Sequence, residues 1–64
     1  MKVNTKLITL ERVRRGWTKG DLGRRIDRSV STVWRIESGR YAPPKVLKEV
    51  ADLLDIPMEK LIQE

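Results

Sequence analysis

The chain has no cysteine and no histidine. The first absence excludes disulfides, thiolate metal sites and thiol catalysis. The second removes the commonest general base and metal ligand. Long apolar runs are missing too: none exceeds two residues, as in Leu7-Ile8 or Leu53-Leu54. Such a sequence predicts neither a membrane-spanning segment nor a signal-peptide core. An enzyme would have to be built from Asp, Glu and Lys, yet no stretch arranges these around a pocket. No nucleophile–base pair or phosphate loop is visible, so no catalytic residue, metal or cofactor is expected. Length is short as well. Sixty-four residues leave room for one small domain over 1–64, with a core that is marginal by size.

What the chain does have is positive charge, unevenly spread. Residues 1–48 hold thirteen Lys/Arg against four Asp/Glu, whereas residues 49–64 hold one against five. The net charge of +5 is therefore a basic front of +9 and an acidic end of −4. A basic face with a more acidic back is the electrostatic footprint of a nucleic-acid binder.

The stretch from Thr18 to Gly39 reads as two short helices joined by a tight turn. Thr18 is an N-cap, and Asp21 three residues later completes an acidic capping box. Leu22 and Ile26 stand one turn apart on one face of a helix over about Lys19–Ile26. Asp27 falls where the chain must turn sharply, and Asp tolerates the left-handed conformation. Ser29 caps a second helix over about Val30–Ser38, which carries Val33 and Ile36 inward and stops at Gly39. Val30, Ser31, Trp34 and Arg35 are then left outward. Helix, turn and helix with these caps form the helix-turn-helix pattern, whose second helix fits the DNA major groove. Gly23 is expected to allow close approach of the second helix, and Gly20 has no evident reason.

Around this centre the chain predicts three more helices. A loose start over residues 1–4 leads, through Asn4 or Thr5 as cap, into a helix over about Lys6–Arg15. Its expected inward stripe is Leu7, Leu10 and Val13, with Ile8 beside them. Arg12, Arg14 and Arg15 crowd its last turn, and Trp17 after Gly16 covers the core. Glu37 lies beside the inward face, so its carboxylate needs a partner, most simply Arg12. After a loop over residues 40–43, Pro44 opens a fourth helix with Leu47, Val50, Ala51 and Leu54 at core spacing. Leu53 widens that stripe, and Asp55 ends it in a slot often filled by glycine. Ile56-Pro57 starts a last short helix through Met58, Leu61 and Ile62. The fold class expected is all-α, with five helices.

From about Leu7 to Ile62 the chain resembles the Cro/CI phage-repressor, or xenobiotic-response-element, type of helix-turn-helix protein. Gly16-Trp-Thr-Lys-x-Asp-Leu-Gly is similar to the family's Gly-Leu-Ser/Thr-Gln-x-x-Leu-Ala. Ser29-Val-Ser-Thr-Val-Trp-Arg-Ile-Glu-Ser-Gly39 is similar to its Ser-x-x-Thr-Ile-Ser-Arg-Ile-Glu-x-Gly. Pro44, Leu47, Ala51 and Leu54-Asp-Ile-Pro resemble its fourth-helix segment. The resemblance implies a five-helix, lambda-repressor-like DNA-binding domain. It also implies a sequence-specific transcriptional regulator, repressor-like, acting as a dimer on a partly palindromic double-stranded operator in the cytoplasm, at the nucleoid. On matching positions it implies base contacts from Val30, Ser31, Thr32, Trp34 and Arg35. Phosphate contacts fall to Thr18, Lys19, Ser38, Arg40 and Tyr41, and a structural ion pair to Arg12 and Glu37.

Several positions depart from the family pattern. Lys19 replaces a frequent Gln, which keeps a phosphate contact and gives up amide base reading. Gly23 replaces Ala, a change expected to be harmless. Asp27 replaces the turn glycine and Arg28 an apolar residue, which implies a less tightly packed turn. Val30 offers only apolar contact to a thymine methyl. Trp34 stands where a small polar residue is usual, either stacking on DNA or serving a protein partner. An alternative reading keeps the fold and makes the chain a protein-interaction module, antirepressor- or antitoxin-like, using Trp34 and the apolar tail Met58–Ile62.

Overall fold

The computed structural model describes residues 2–41 and 43–63. Met1, in the expected loose start, and Ala42, in the expected loop, lie outside the described residues. The described residues form five helices: α1 (Thr5–Arg14), α2 (Lys19–Arg25), α3 (Val30–Glu37), α4 (Pro44–Leu54) and α5 (Met58–Leu61). Two short strands, β1 (Lys2–Val3) and β2 (Ile62–Gln63), pair antiparallel, Lys2 with Gln63 and Val3 with Ile62.

Local chemistry explains most boundaries. Asn4 caps α1, its Oδ1 accepting from the Leu7 amide at 3.2 Å. Thr18 and Asp21 form a full capping box at the start of α2: Thr18 Oγ1 accepts from the Asp21 amide at 3.0 Å. The Asp21 carboxylate accepts from the Thr18 amide at 2.8 Å. Ser29 caps α3, accepting from the Thr32 amide at 3.3 Å. Asp27 and Asp55 both take left-handed conformations, each with φ of 57°. Aspartate can do this where other side chains resist. Pro44 sits in the first turn of α4, where its missing N–H costs nothing.

The core lies where α4 meets the other four helices. Leu47, Val50, Ala51 and Leu54 are buried as the spacing predicts, and Val46 joins them on the same side. Against them pack Ile8 of α1, Leu22 of α2, Val33 and Ile36 of α3, and Leu61 of α5. Each such side chain contributes about 1.5–3 kcal/mol of burial.

Four expectations need correction. Leu10 and Val13 do not face inward; they are 53% and 57% exposed, and the buried line of α1 is Ile8 and Arg12. The last helix stops at Leu61, because Ile62 turns extended and pairs with Val3. The start of the chain is therefore a strand from Lys2, and the Asn4 amide donates to the Leu61 carbonyl at 2.8 Å. Gly23 does make room, but for the turn rather than for the body of α3. A Cβ there would meet the Arg28 carbonyl oxygen at 2.9 Å and that of Ser29 at 3.2 Å. Gly20 has no comparable constraint, its nearest neighbours being side-chain atoms at 3.6 and 3.7 Å.

Candidate nucleic-acid interface

The outward side of α3 follows from its inward one. Val33 and Ile36 are buried, so Val30 and Trp34, one turn apart, and Ser31 and Arg35, also one turn apart, form two exposed rows. Val30 is 46% exposed and Trp34 60%. Thr32 is half-buried, with its hydroxyl 3.2 Å from the Ser29 hydroxyl at the helix start. Arg35 and, beyond the helix, Arg40 make no ion pair among the described residues and are exposed. Arg40 is held by its backbone, whose amide donates to the Arg35 carbonyl at 3.1 Å.

Beneath α3 lies the anchor that sets its angle. Arg12 Nε donates to Glu37 Oε2 at 2.8 Å, and Nη2 donates to Oε1 at 3.2 Å. The remaining Nη1 donates to the Trp17 carbonyl at 2.8 Å. Glu37 Oε1 also accepts from the Thr9 hydroxyl at 2.7 Å. Both side chains are nearly dry, 9% and 6% exposed. A buried ion pair is tolerable only when its polar atoms are satisfied, and here the network occupies both carboxylate oxygens and all three guanidinium nitrogens. One side chain of α1 thereby ties together α3 and the loop that leads into α2.

The start of α2 comes up beside α3. Lys19 Nζ lies 4.2 Å from the centre of the Trp34 ring and 3.9 Å from Glu37 Oε1. Thr9, Lys19, Trp34, Glu37 and Ser38 line one open concavity. Of the residues expected at phosphates, Lys19 and Ser38 are thus brought together. Thr18 is exposed just before Lys19, with its hydroxyl engaged in the capping box. Arg40 and Tyr41 are exposed on the chain leaving α3. Nothing local in the sequence signals the contact of Lys19 with Trp34, because they meet only through the packing of α2 on α3.

Charges around this surface are partly held in place. The Thr18 amide and hydroxyl hold the Asp21 carboxyl below its ordinary value, against an opposing effect of desolvation and with lesser help from Arg24 and Arg25. Hydrogen bonding from Arg15, with help from Arg14, likewise lowers Glu11. Arg28, expected to loosen the turn, instead reaches Glu49 of α4 at 3.2 Å and closes the turn against the bundle. Arg25 stacks on Trp17 at 4.1 Å, so that indole is covered by a cation as well as by the core.

The arrangement offers a convex helix with polar, apolar and cationic groups in rows, flanked by lysine, hydroxyl and arginine. Such a surface suits a groove and its bordering phosphates. No helix among the described residues is long and apolar enough to cross a membrane. No curated protein and no solved structure matches the chain. The family described as "Helix-turn-helix domain" matches residues 7–61, from the first turn of α1 to the end of α5. The chain belongs to that family of DNA-binding domains, in its Cro/CI-like, xenobiotic-response-element-like class.

Proposed function

We propose that the chain is a sequence-specific regulator of transcription, repressor-like, that lays α3 in the major groove of a partly palindromic operator as a homodimer. It works in the cytoplasm, at the nucleoid. The observation that carries this reading is the exposed double row of α3 beside a cationic border. Val30 supplies apolar contact to a thymine methyl, Ser31 and Thr32 supply hydroxyls, and Arg35 supplies a planar fork for guanine. Trp34 stands on the same rows. Thr18, Lys19, Ser38, Arg40 and Tyr41 flank them as contacts to the backbone. The chain has no catalytic role in this reading.

Selection of bound sequences from a random duplex pool tests the proposal. A shared motif should emerge, and affinity for it should fall steeply between low and moderate salt, because phosphate contacts release counterions. A pool that never enriches would overturn the reading.

One observation favours a second reading, the protein-interaction module. Leu10 and Val13 lie exposed on α1, where they line a concavity that reaches Glu37 at the end of α3, and apolar side chains so placed suit a protein partner. The tail gives no such support: Leu61 is fully buried, and Met58 and Ile62 pack on the core. Binding through an apolar interface would be insensitive to salt, which separates the two readings.

A further inference from the structure

Trp34 is the residue of α3 whose surroundings fit base reading least well. Its ring is mostly exposed, yet one face is already occupied by Lys19, with Nζ 4.2 Å from the ring centre. The same ammonium lies 3.9 Å from Glu37 Oε1. That carboxylate is committed to Arg12 and Thr9 at shorter distances, so it attracts Lys19 without neutralising it. Lys19 is thus held between an aromatic face and a satisfied carboxylate, at the rim of the concavity that also contains Ser38.

A free lysine samples many rotamers and must give up that freedom to hold a phosphate. A ring that attracts the cation while leaving it accessible removes part of this cost beforehand. We infer that Trp34 is a positioning residue acting through Lys19: it holds the ammonium over its indole face so that Lys19 meets a DNA phosphate already placed. Trp34 then strengthens binding to every sequence alike and adds nothing to base preference. This inference rests on the DNA-binding reading above.

The test is a double-mutant cycle on the selected duplex, with Trp34→Leu, Trp34→Phe and Lys19→Met in the full chain. Trp34→Leu, which keeps apolar bulk and loses the π face, should weaken binding about two- to fivefold on all single-base variants of the site. Trp34→Phe should stay closer to the parent. Lys19→Met should make the salt slope shallower by about 0.9, and adding Trp34→Leu to it should cause no further loss. In the free protein, the Lys19 side-chain methylene protons should be displaced upfield by the indole in NMR spectra and return to ordinary positions in Trp34→Leu. Three results would each overturn the inference: ordinary Lys19 shifts in the parent, a Trp34→Leu loss that persists in Lys19→Met, or a changed ranking of base variants. Failure of the parent chain to bind any duplex would remove the DNA reading and this inference with it. Intact parent binding without coupling removes the inference alone.

Discussion

Glu37 has a carboxylate that water barely reaches, and every group around it is arranged to make that tolerable. Replacing it with alanine strands the Arg12 guanidinium in the same dry place, a change that costs about 3–5 kcal/mol. A chain of this size has roughly 3–10 kcal/mol in all. Glu37→Ala should therefore be largely unfolded or barely folded at room temperature, and urea or thermal melts will show it. An unchanged midpoint would mean the pair contributes nothing. The two glycines of α2 make an opposed pair of tests. Gly20→Ala adds a methyl where the nearest atoms are flexible side-chain ends at 3.6 and 3.7 Å, so helix propensity should win and stability rise by about 0.5–1 kcal/mol. Gly23→Ala gains the same propensity but drives its Cβ to 2.9 Å from a backbone carbonyl. Overpacking costs about 1–3 kcal/mol, so this variant should be the less stable of the two and fall below the parent.

At the level of elements, what the sequence could and could not disclose is clearest in α1. Arg12 must face Glu37, and successive residues of a helix are turned by about 100°. Leu10 is then about 200° away from Arg12, so an ion pair and an inward Leu10 make incompatible demands on the helix. The apolar pattern alone points to Leu7, Leu10 and Val13. The pair wins because a buried carboxylate without its arginine is worse than two apolar side chains in water. In α2, α3 and α4 no such conflict exists, and caps, turns and core positions are readable directly. The paired strands were illegible because two residues on each side carry no periodicity; only the meeting of distant segments creates them.

Three further predictions belong to this scale. Asp21 is held below the ordinary aspartate value of about 3.9 by the Thr18 amide and hydroxyl. A depressed folded value means the folded state favours the charged form. Its stabilisation is complete above the unfolded value and is lost as pH falls below that value and through the folded one. Melting curves below about pH 4 should show this as a loss that Asp21→Asn no longer displays. On the other helix, Arg35→Ala should cost about 1–3 kcal/mol on the preferred site and flatten preference at one base pair. Arg40→Ala, on the loop that follows, should weaken all sequences equally and make the salt slope shallower by about one unit. An unaltered ranking of sequences in Arg35→Ala would remove it as a base reader.

For the whole molecule, size sets the terms of recognition. The longest extent of its Cα trace is 28 Å, shorter than the roughly 34 Å between successive major-groove faces on one side of DNA. On the proposed reading, one copy would read one half-site. Two copies on one duplex should select half-sites with two-fold symmetry about one helical turn apart. Sizing of the complex should give two chains per duplex, and asymmetric selected sites holding one chain would contradict this.

The small ribbon of β1 and β2 has a consequence for the order of folding. Lys2 pairs with Gln63, and Val3 with Ile62, across nearly all of the described residues. Closing so long a loop costs about 3–4 kcal/mol of chain entropy before any contact repays it. Until it closes, the Asn4 amide that donates to the Leu61 carbonyl stays hydrated. α2 and α3, separated by four residues, face no such cost, so the two should pack before the open ends of the bundle are joined.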